Sequence, residues 1–261
     1  MPYAELDGLR LYYERAGRGD AEMLFVPGWC CDGTAFQPQF DHFAETSAVT
    51  ALDLRGCGKS DRLPDGYAIP DLADDVIEFC QTVGIERPIV VGHSLGGMIA
   101  VELAGRRPSL PRALVLVDPG PIDWDPEMCR RFDTFAEQLA GPDGEEIRRR
   151  YVENMGACDP ALGLLIADMM SAIPLPIATA VIQQLTAWDG AKAMARCDVP
   201  TLLLRTELDA EDLRLLEIKP DLTVGITVGA GHFHQLEVPD QVNAMIDRFL
   251  ELTGALTRCE P

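Results

Sequence analysis

Basic residues are scarce in this sequence: 22 Lys and Arg stand against 42 Asp and Glu, a formal net charge of −20. Such a field repels nucleic acid and anionic membranes, so neither is expected as a partner. No stretch approaches the roughly 20 apolar residues needed to cross a bilayer. The opening MPYAELDGLRLYYERAG contains neither an apolar signal core nor a small-residue cleavage site, and a cytoplasmic protein is the expectation. The cysteines at 30, 31, 57, 80, 129, 158, 197 and 259 show no CxxC spacing and no paired metal-site pattern. Most sit in apolar or helical runs, which suits reduced, partly buried thiols; no metal and no cofactor is expected. Histidine is also rare, at positions 42, 93, 232 and 234 only.

What is present is an ordinary globular composition, 47% hydrophobic and 25% charged. The 261 residues are long for one domain, though large α/β domains reach this size. Short apolar runs at 9–14, 23–27, 48–53, 88–91, 113–117, 201–205 and 222–228 read as strands. Between them lie helical patterns: 68–84 places Ile69, Leu72, Val76, Phe79 and Cys80 on one face, and 97–107 and 239–252 follow suit. Strands alternating with helices predict a mostly parallel sheet covered on both faces. Residues 121–188 break the rhythm with helical patterns alone. They are expected to form a helical cap inserted over the strand ends, leaving 1–120 and 189–261 as the core.

The segment PIVVGHSLGGM, 88–98, is a strand, a very tight turn and a helix, with Ser94 at the apex. Bulk at 92 or 96 would clash there because backbones approach closely. A phosphate-cradling loop would place a Lys after the glycines, whereas Met98 and Ile99 follow. Ser94 is a weak nucleophile until a base takes its proton. His93 should point away at so tight a turn, and His42 falls in the helical QPQFDHFAE. His232 directly follows a strand and a Gly-Ala-Gly turn in GAGHFHQLEVPD, and is the expected base; His234 lies two residues further on.

GHSLGG on a strand–turn–helix, with a loop histidine after the final strand, resembles the α/β-hydrolase superfamily over nearly the whole chain. LDLRGCGKSD, 52–61, looks like the family's turn after an early strand. FVPGW, 25–29, occupies the place of the usual His-Gly segment, with Pro27 where the family has histidine. The resemblance implies an eight-stranded, mostly parallel sheet flanked by helices, with an inserted helical cap. It also implies attack by Ser94 on a carbonyl, His232 as general base and then acid, and the N–H groups of Trp29 and Leu95 as oxyanion hole. For the triad acid, Asp209 resembles the common position after the penultimate strand. Asp118, one strand after the nucleophile, matches the position used by haloalkane dehalogenases and cofactor-free ring-cleaving dioxygenases. Asp118 is favoured: it stands alone at a buried strand end, where an unpaired carboxylate is expensive, while Glu207 and Asp212 surround Asp209.

A serine at the elbow sets this chain apart from dehalogenases and epoxide hydrolases of the fold, which use aspartate. Trp124, Met169, Met170 and Trp188 are expected to touch substrate, whereas Arg148, Arg149 and Arg150 read as a solvated helix face. The resulting expectation is a serine hydrolase cleaving an ester or lactone of a small, largely apolar molecule, working as a monomer or homodimer. A cofactor-free dioxygenase and a non-catalytic ligand receptor are the alternatives.

Overall fold

The computed structural model describes residues 2–155 and 159–256; Cys158 and Cys259 lie outside them. Eight strands form one sheet in the order β1-β2-β4-β3-β5-β6-β7-β8. They are β1 (Tyr3–Leu6), β2 (Leu9–Ala16), β3 (Glu22–Val26), β4 (Ala48–Leu52), β5 (Ile89–His93), β6 (Ala113–Val117), β7 (Thr201–Arg205) and β8 (Thr223–Ile226). β1 and β2 pair antiparallel, and β2 joins β4 antiparallel. From β4 across to β8 every pairing is parallel. β5, β6 and β7 are buried at every residue, which is why they read as unbroken Val/Ile/Leu runs instead of alternating ones.

Alternation appears instead in which core each residue enters. Leu24, Val90, Leu114 and Leu203 join one cluster, while Phe25, Val91, Val115 and Leu204 join the other. The first is covered by α2 (Ile69–Val83), α3 (Leu95–Arg106) and α8 (Gly190–Met194); the second by α1 (Gln37–Phe43) and α11 (Pro239–Thr253). The expected face of α2 is the buried one: Ile69, Leu72, Val76, Phe79 and Cys80 are all at most 1% exposed. Gly84 ends that helix at φ 71, the left-handed conformation glycine adopts without penalty.

Between β6 and β7 the chain forms α4 (Pro126–Ala140), α5 (Gly144–Asn154), α6 (Pro160–Ser171), α7 (Leu175–Leu185) and α8. Asp125 and Asp159 cap α4 and α6, each accepting from backbone N–H groups of the first turn. The apolar stretch 164–185 is two helices, α6 and α7, bent by 91°, because Pro174 precedes the second. Among the described residues no single helix is long and apolar enough to cross a membrane. Arg148 departs from the solvated face expected of it. It is buried and donates to the carbonyls of Ser171 and Ile173 at the end of α6, so only Arg149 and Arg150 occupy the exposed side, paired with Glu146. β1 was not anticipated, since its four residues YAEL carry too little periodicity to register.

After β7 come α9 (Ala210–Ile218), β8, the single turn α10 (His234–Glu237) and α11. The parallel register brings the C-terminal ends of β5, β6 and β7 to one edge: His93 pairs with Val117, and Val117 with Leu204.

Two glycines separate steric crowding from backbone conformation. A Cβ at Gly96 would lie 2.0 Å from the Val26 carbonyl oxygen, whereas one at Gly84 meets nothing within 4 Å. Gly96→Ala is expected to cost about 3 kcal/mol or more, and Gly84→Ala about 1 kcal/mol, read by urea denaturation. Equal costs would mean that the crowding at 96 is relieved by backbone movement.

Candidate active site

Ser94 follows β5 directly and carries φ 52, ψ −117, outside the regions open to most L-residues. Such a conformation costs on the order of 1–3 kcal/mol and persists only where its surroundings over-determine it. Here they do. The Ser94 N–H donates to the Val117 carbonyl (3.1 Å), and the Ser94 carbonyl accepts from Gly97 (3.0 Å) and Gly120 (3.1 Å). The expected intolerance of bulk at the turn is explicit: a Cβ at Gly92 would sit 2.2 Å from the Gly96 carbonyl oxygen. Because the backbone is turned this way, the Ser94 side chain does not cap α3. Its hydroxyl lines a cavity of about 280 Å³ together with Leu95, Trp29, Asp118 and His232.

Asp118 terminates β6, again at positive φ (41°). Its Oδ2 accepts from His232 Nδ1 at 2.6 Å, and its Oδ1 accepts from Arg205 Nη1 at 3.1 Å. Burial pushes the Asp118 carboxyl up, but the hydrogen bond and charge of His232, with the Arg205 guanidinium, hold it well below the usual carboxylate range. An ionised carboxylate only accepts, so His232 Nδ1 carries a proton and Nε2 is left unengaged by this bond. Asp209 stands elsewhere in the hydrogen-bond pattern. It caps α9, accepting from the N–H groups of Glu211 (2.8 Å) and Asp212 (3.0 Å), and contributes to the cavity wall without bonding His232.

The other histidines are each occupied. His93 is fully buried, and its Nε2 donates to the His232 carbonyl (3.0 Å) while the two rings lie 4.7 Å apart. The residue before Ser94 thus supports the backbone of the His232 loop. His234 is buried against Thr227 Oγ1 (2.9 Å), and burial lowers its pKa to about 4. His42 is exposed beside Asp247 (2.8 Å).

Trp29 packs edge-on against Phe135 and Tyr151, and its indole N–H donates to the Ala178 carbonyl in α7 at 2.9 Å. Among the described residues neither the Trp29 nor the Leu95 backbone N–H has a protein acceptor. Both are therefore available to an oxygen in the cavity, and Leu95 begins α3, where the helix dipole adds positive potential. Pro27 carries no N–H and so cannot itself be a donor in this loop.

Of the four residues expected to touch substrate, none lines this cavity. Trp124 sits behind Phe132, edge-on at 5.1 Å. Met170 is buried in the core, and the Met169 sulfur faces the Thr34 hydroxyl. The Trp188 indole donates to Glu102 (2.8 Å) beside a separate surface cleft. Helical periodicity shows which residues share a face, but not whether that face meets the core or the cavity. The apolar wall comes instead from Met98, Met128, Phe132, Tyr151, Val181 and Ile182. Arg205 also went unnoticed, although TLLLR ends a buried strand on a cation that demands acidic partners. It has Asp118 and, at 2.8 Å, Asp212.

His234 gives a pH test. A native pKa near 4 against an ordinary 6.5 means that the folded state resists protonation. Stability from this group is complete above pH 6.5 and is lost as pH falls toward 4. His234→Gln is expected to remove about 2–3 kcal/mol of the decline in unfolding free energy between pH 7.5 and 4.5. Parallel declines in both proteins would assign the acid sensitivity elsewhere, including to buried His93.

The chain is 37% identical over 117 residues to the dihydrolipoyllysine-residue acetyltransferase component of an acetoin cleaving system from Cupriavidus necator, spanning 45% of this chain and 31% of that protein. It is 27% identical over 261 residues to a putative carbamate hydrolase, RutD, of Azorhizobium caulinodans, covering 94% of this chain and 97% of that one. A thermophilic esterase from Thermogutta terrifontis superposes with a TM-score of 0.84 at 23% identity, over 98% of both chains, a likeness of fold. The model of the Alpha/beta hydrolase family matches residues 23–245, from β3 into α11, and the chain belongs to that family.

Proposed function

We propose that this protein is a serine hydrolase that cleaves a carboxylic ester or lactone of a small, largely apolar substrate through an acyl-enzyme. The observation that carries the reading is the 2.6 Å bond from His232 to Asp118 at the rim of the cavity that Ser94 also lines. In this mechanism His232 Nε2 takes the Ser94 proton as Oγ attacks the carbonyl carbon. The developing oxyanion is received by the Leu95 and Trp29 N–H groups, each worth about 3 kcal/mol of transition-state stabilisation. His232 then protonates the departing alcohol, and a water activated by the same ring releases the acid. Asp118 stays ionised throughout, holding the tautomer and stabilising the imidazolium, with Arg205 fixing the orientation of its carboxylate.

The helices inserted between β6 and β7 serve as a cap: α4, α5 and α7 each contribute to the cavity wall. Their apolar side chains favour an alkyl or aryl acyl part. Similarity to a putative carbamate hydrolase along nearly the full chain makes carbamates the first nitrogen-containing substrates to compare with esters and lactones.

A short p-nitrophenyl ester is expected to give burst release of nitrophenol and a fluorophosphonate to label Ser94. Ser94→Ala should lower kcat at least about 10⁴-fold. Asp118→Asn should lower it about 10³- to 10⁴-fold through loss of the tautomer. Asp209→Asn should change it less than about threefold, since asparagine caps a helix as well as aspartate does. The reverse ranking of the two aspartates would overturn the assignment of the acid; no burst and no adduct would overturn the hydrolase reading and favour a non-catalytic receptor.

A further inference from the structure

Five residues that line the cavity, apart from His232, carry formal charge: Asp118, Arg131, Arg205, Asp209 and Glu211. Four are committed to the protein. Asp118 and Arg205 bond each other, and Arg205 also holds Asp212 and the Pro119 carbonyl. Asp209 caps α9, and Glu211 accepts from the N–H groups of Ile122 (2.6 Å) and Asp123 (3.3 Å). Arg131, on α4, makes no hydrogen bond or ion pair among the described residues, although the chain carries a net charge of −20 and most of its other arginines are paired with carboxylates.

Tyr151, on α5, lines the same cavity. Its ring is clamped, stacked on Phe135 at 4.4 Å and edge-on to Trp29 at 5.9 Å. Its hydroxyl has no protein partner among the described residues. Burial raises the phenol pKa, and the Arg131 charge is close enough to oppose that rise. Arg131, an exposed residue with five free donors, and the neighbouring phenol O–H are therefore unengaged polar groups among the lining residues, beside the apolar Met128, Phe132, Val181 and Ile182. Unspent polar groups in a cavity of this kind are what fix a ligand's orientation.

We propose that the substrate carries one carboxylate, remote from its scissile carbonyl, that is held by Arg131 and Tyr151. This rests on the hydrolase reading and names the substrate class: a half-ester or lactone acid with an apolar spacer. The planar guanidinium fork matches a carboxylate in a bidentate pair, and the phenol adds a third donor. One cation suits a monoanion better than a doubly charged phosphate, which the acidic molecule would repel more strongly.

The test compares p-nitrophenyl hemiesters of succinate, adipate and suberate with neutral esters of the same chain length, such as hemiadipate against hexanoate. At least one hemiester is expected to exceed its neutral partner in kcat/KM. Arg131→Ala should lower that ratio roughly 10- to 100-fold, Arg131→Glu should lower it further, and Arg131→Lys should fall between. Tyr151→Phe, which keeps the ring, should lower it about threefold or more. A binding arm does not depend on turnover: in Ser94→Ala protein, adipic monoanilide should bind more tightly than hexananilide by calorimetry, and Arg131→Ala should erase the difference. Hydrolysis of both ester types with the same ratio in wild type and Arg131→Ala at every length would overturn the proposal and leave the hydrolase reading standing. Carboxylate-dependent binding without turnover of any ester would do the opposite.

Discussion

Everything at this site depends on one steric constraint: the chain can turn at Ser94 only because Gly92, Gly96 and Gly28 carry no side chains. A Cβ at Gly28 would come within 2.9 Å of His93 Nδ1 and 3.2 Å of the Ser94 Cβ. The turn therefore compresses three segments against one another: the β3 loop, the end of β5 and the start of α3. Placing a hydroxyl at a helix N-terminus normally lets it cap the helix, which would satisfy the oxygen and remove it from chemistry. The strained φ and ψ at Ser94 prevent that outcome. Strain is retained because a hydrogen bond to the Val117 carbonyl and two from the N–H groups of Gly97 and Gly120 fix both sides of the residue.

The second layer is electrostatic and runs through the adjacent strands. Asp118 would be an expensive carboxylate at a buried strand end were it not flanked by His232 and Arg205. Arg205 in turn is buried and needs two acids, Asp118 and Asp212. The run from Asp212 through Arg205 to Asp118 keeps each buried ion next to an opposite one, and Asp118 in turn accepts from His232. It also leaves Asp118 little freedom to rotate, because each oxygen has its own donor. A fixed carboxylate holds a fixed imidazole, which is the geometry that the proposed proton transfer at Ser94 requires.

The turn at Ser94, the parallel sheet and the face of α2 were legible because each is written in local patterns: glycine spacing, β-branched runs and helical periodicity. The pairing of His232 with Asp118 was legible through the cost of an unpaired buried carboxylate and through the resemblance of its position to one acid site of the family. Chain distance offered no help, and Arg205, the residue that completes that pairing, was overlooked. The cavity wall was the least legible part. Trp188 and Met170 look like substrate contacts because they are large and apolar, yet one bonds Glu102 and the other fills the core. Arg148 shows the reverse error: a charged residue in a basic run that is buried to tie α5 to the end of α6.

His232 bonds Asp118 at the end of β6 and not Asp209 in the β7–α9 connection, whose acids do structural work instead. Asp209 starts α9, and Glu211, on the first turn, accepts the N–H groups of Ile122 and Asp123. Arg214, one turn further along, bonds the Asp123 carboxylate and carbonyl. Residues 122 and 123 are where the chain leaves the sheet for the inserted helices, so α9 anchors the root of the insertion. At the other end α8 lies against α3, where even one Cβ on Gly105 would meet the Ala193 carbonyl at 2.8 Å. Both roots of the insertion are thus held by the sheet's own helices. The walls contributed by α4, α5 and α7 are accordingly positioned against Ser94 by the same core that strains it.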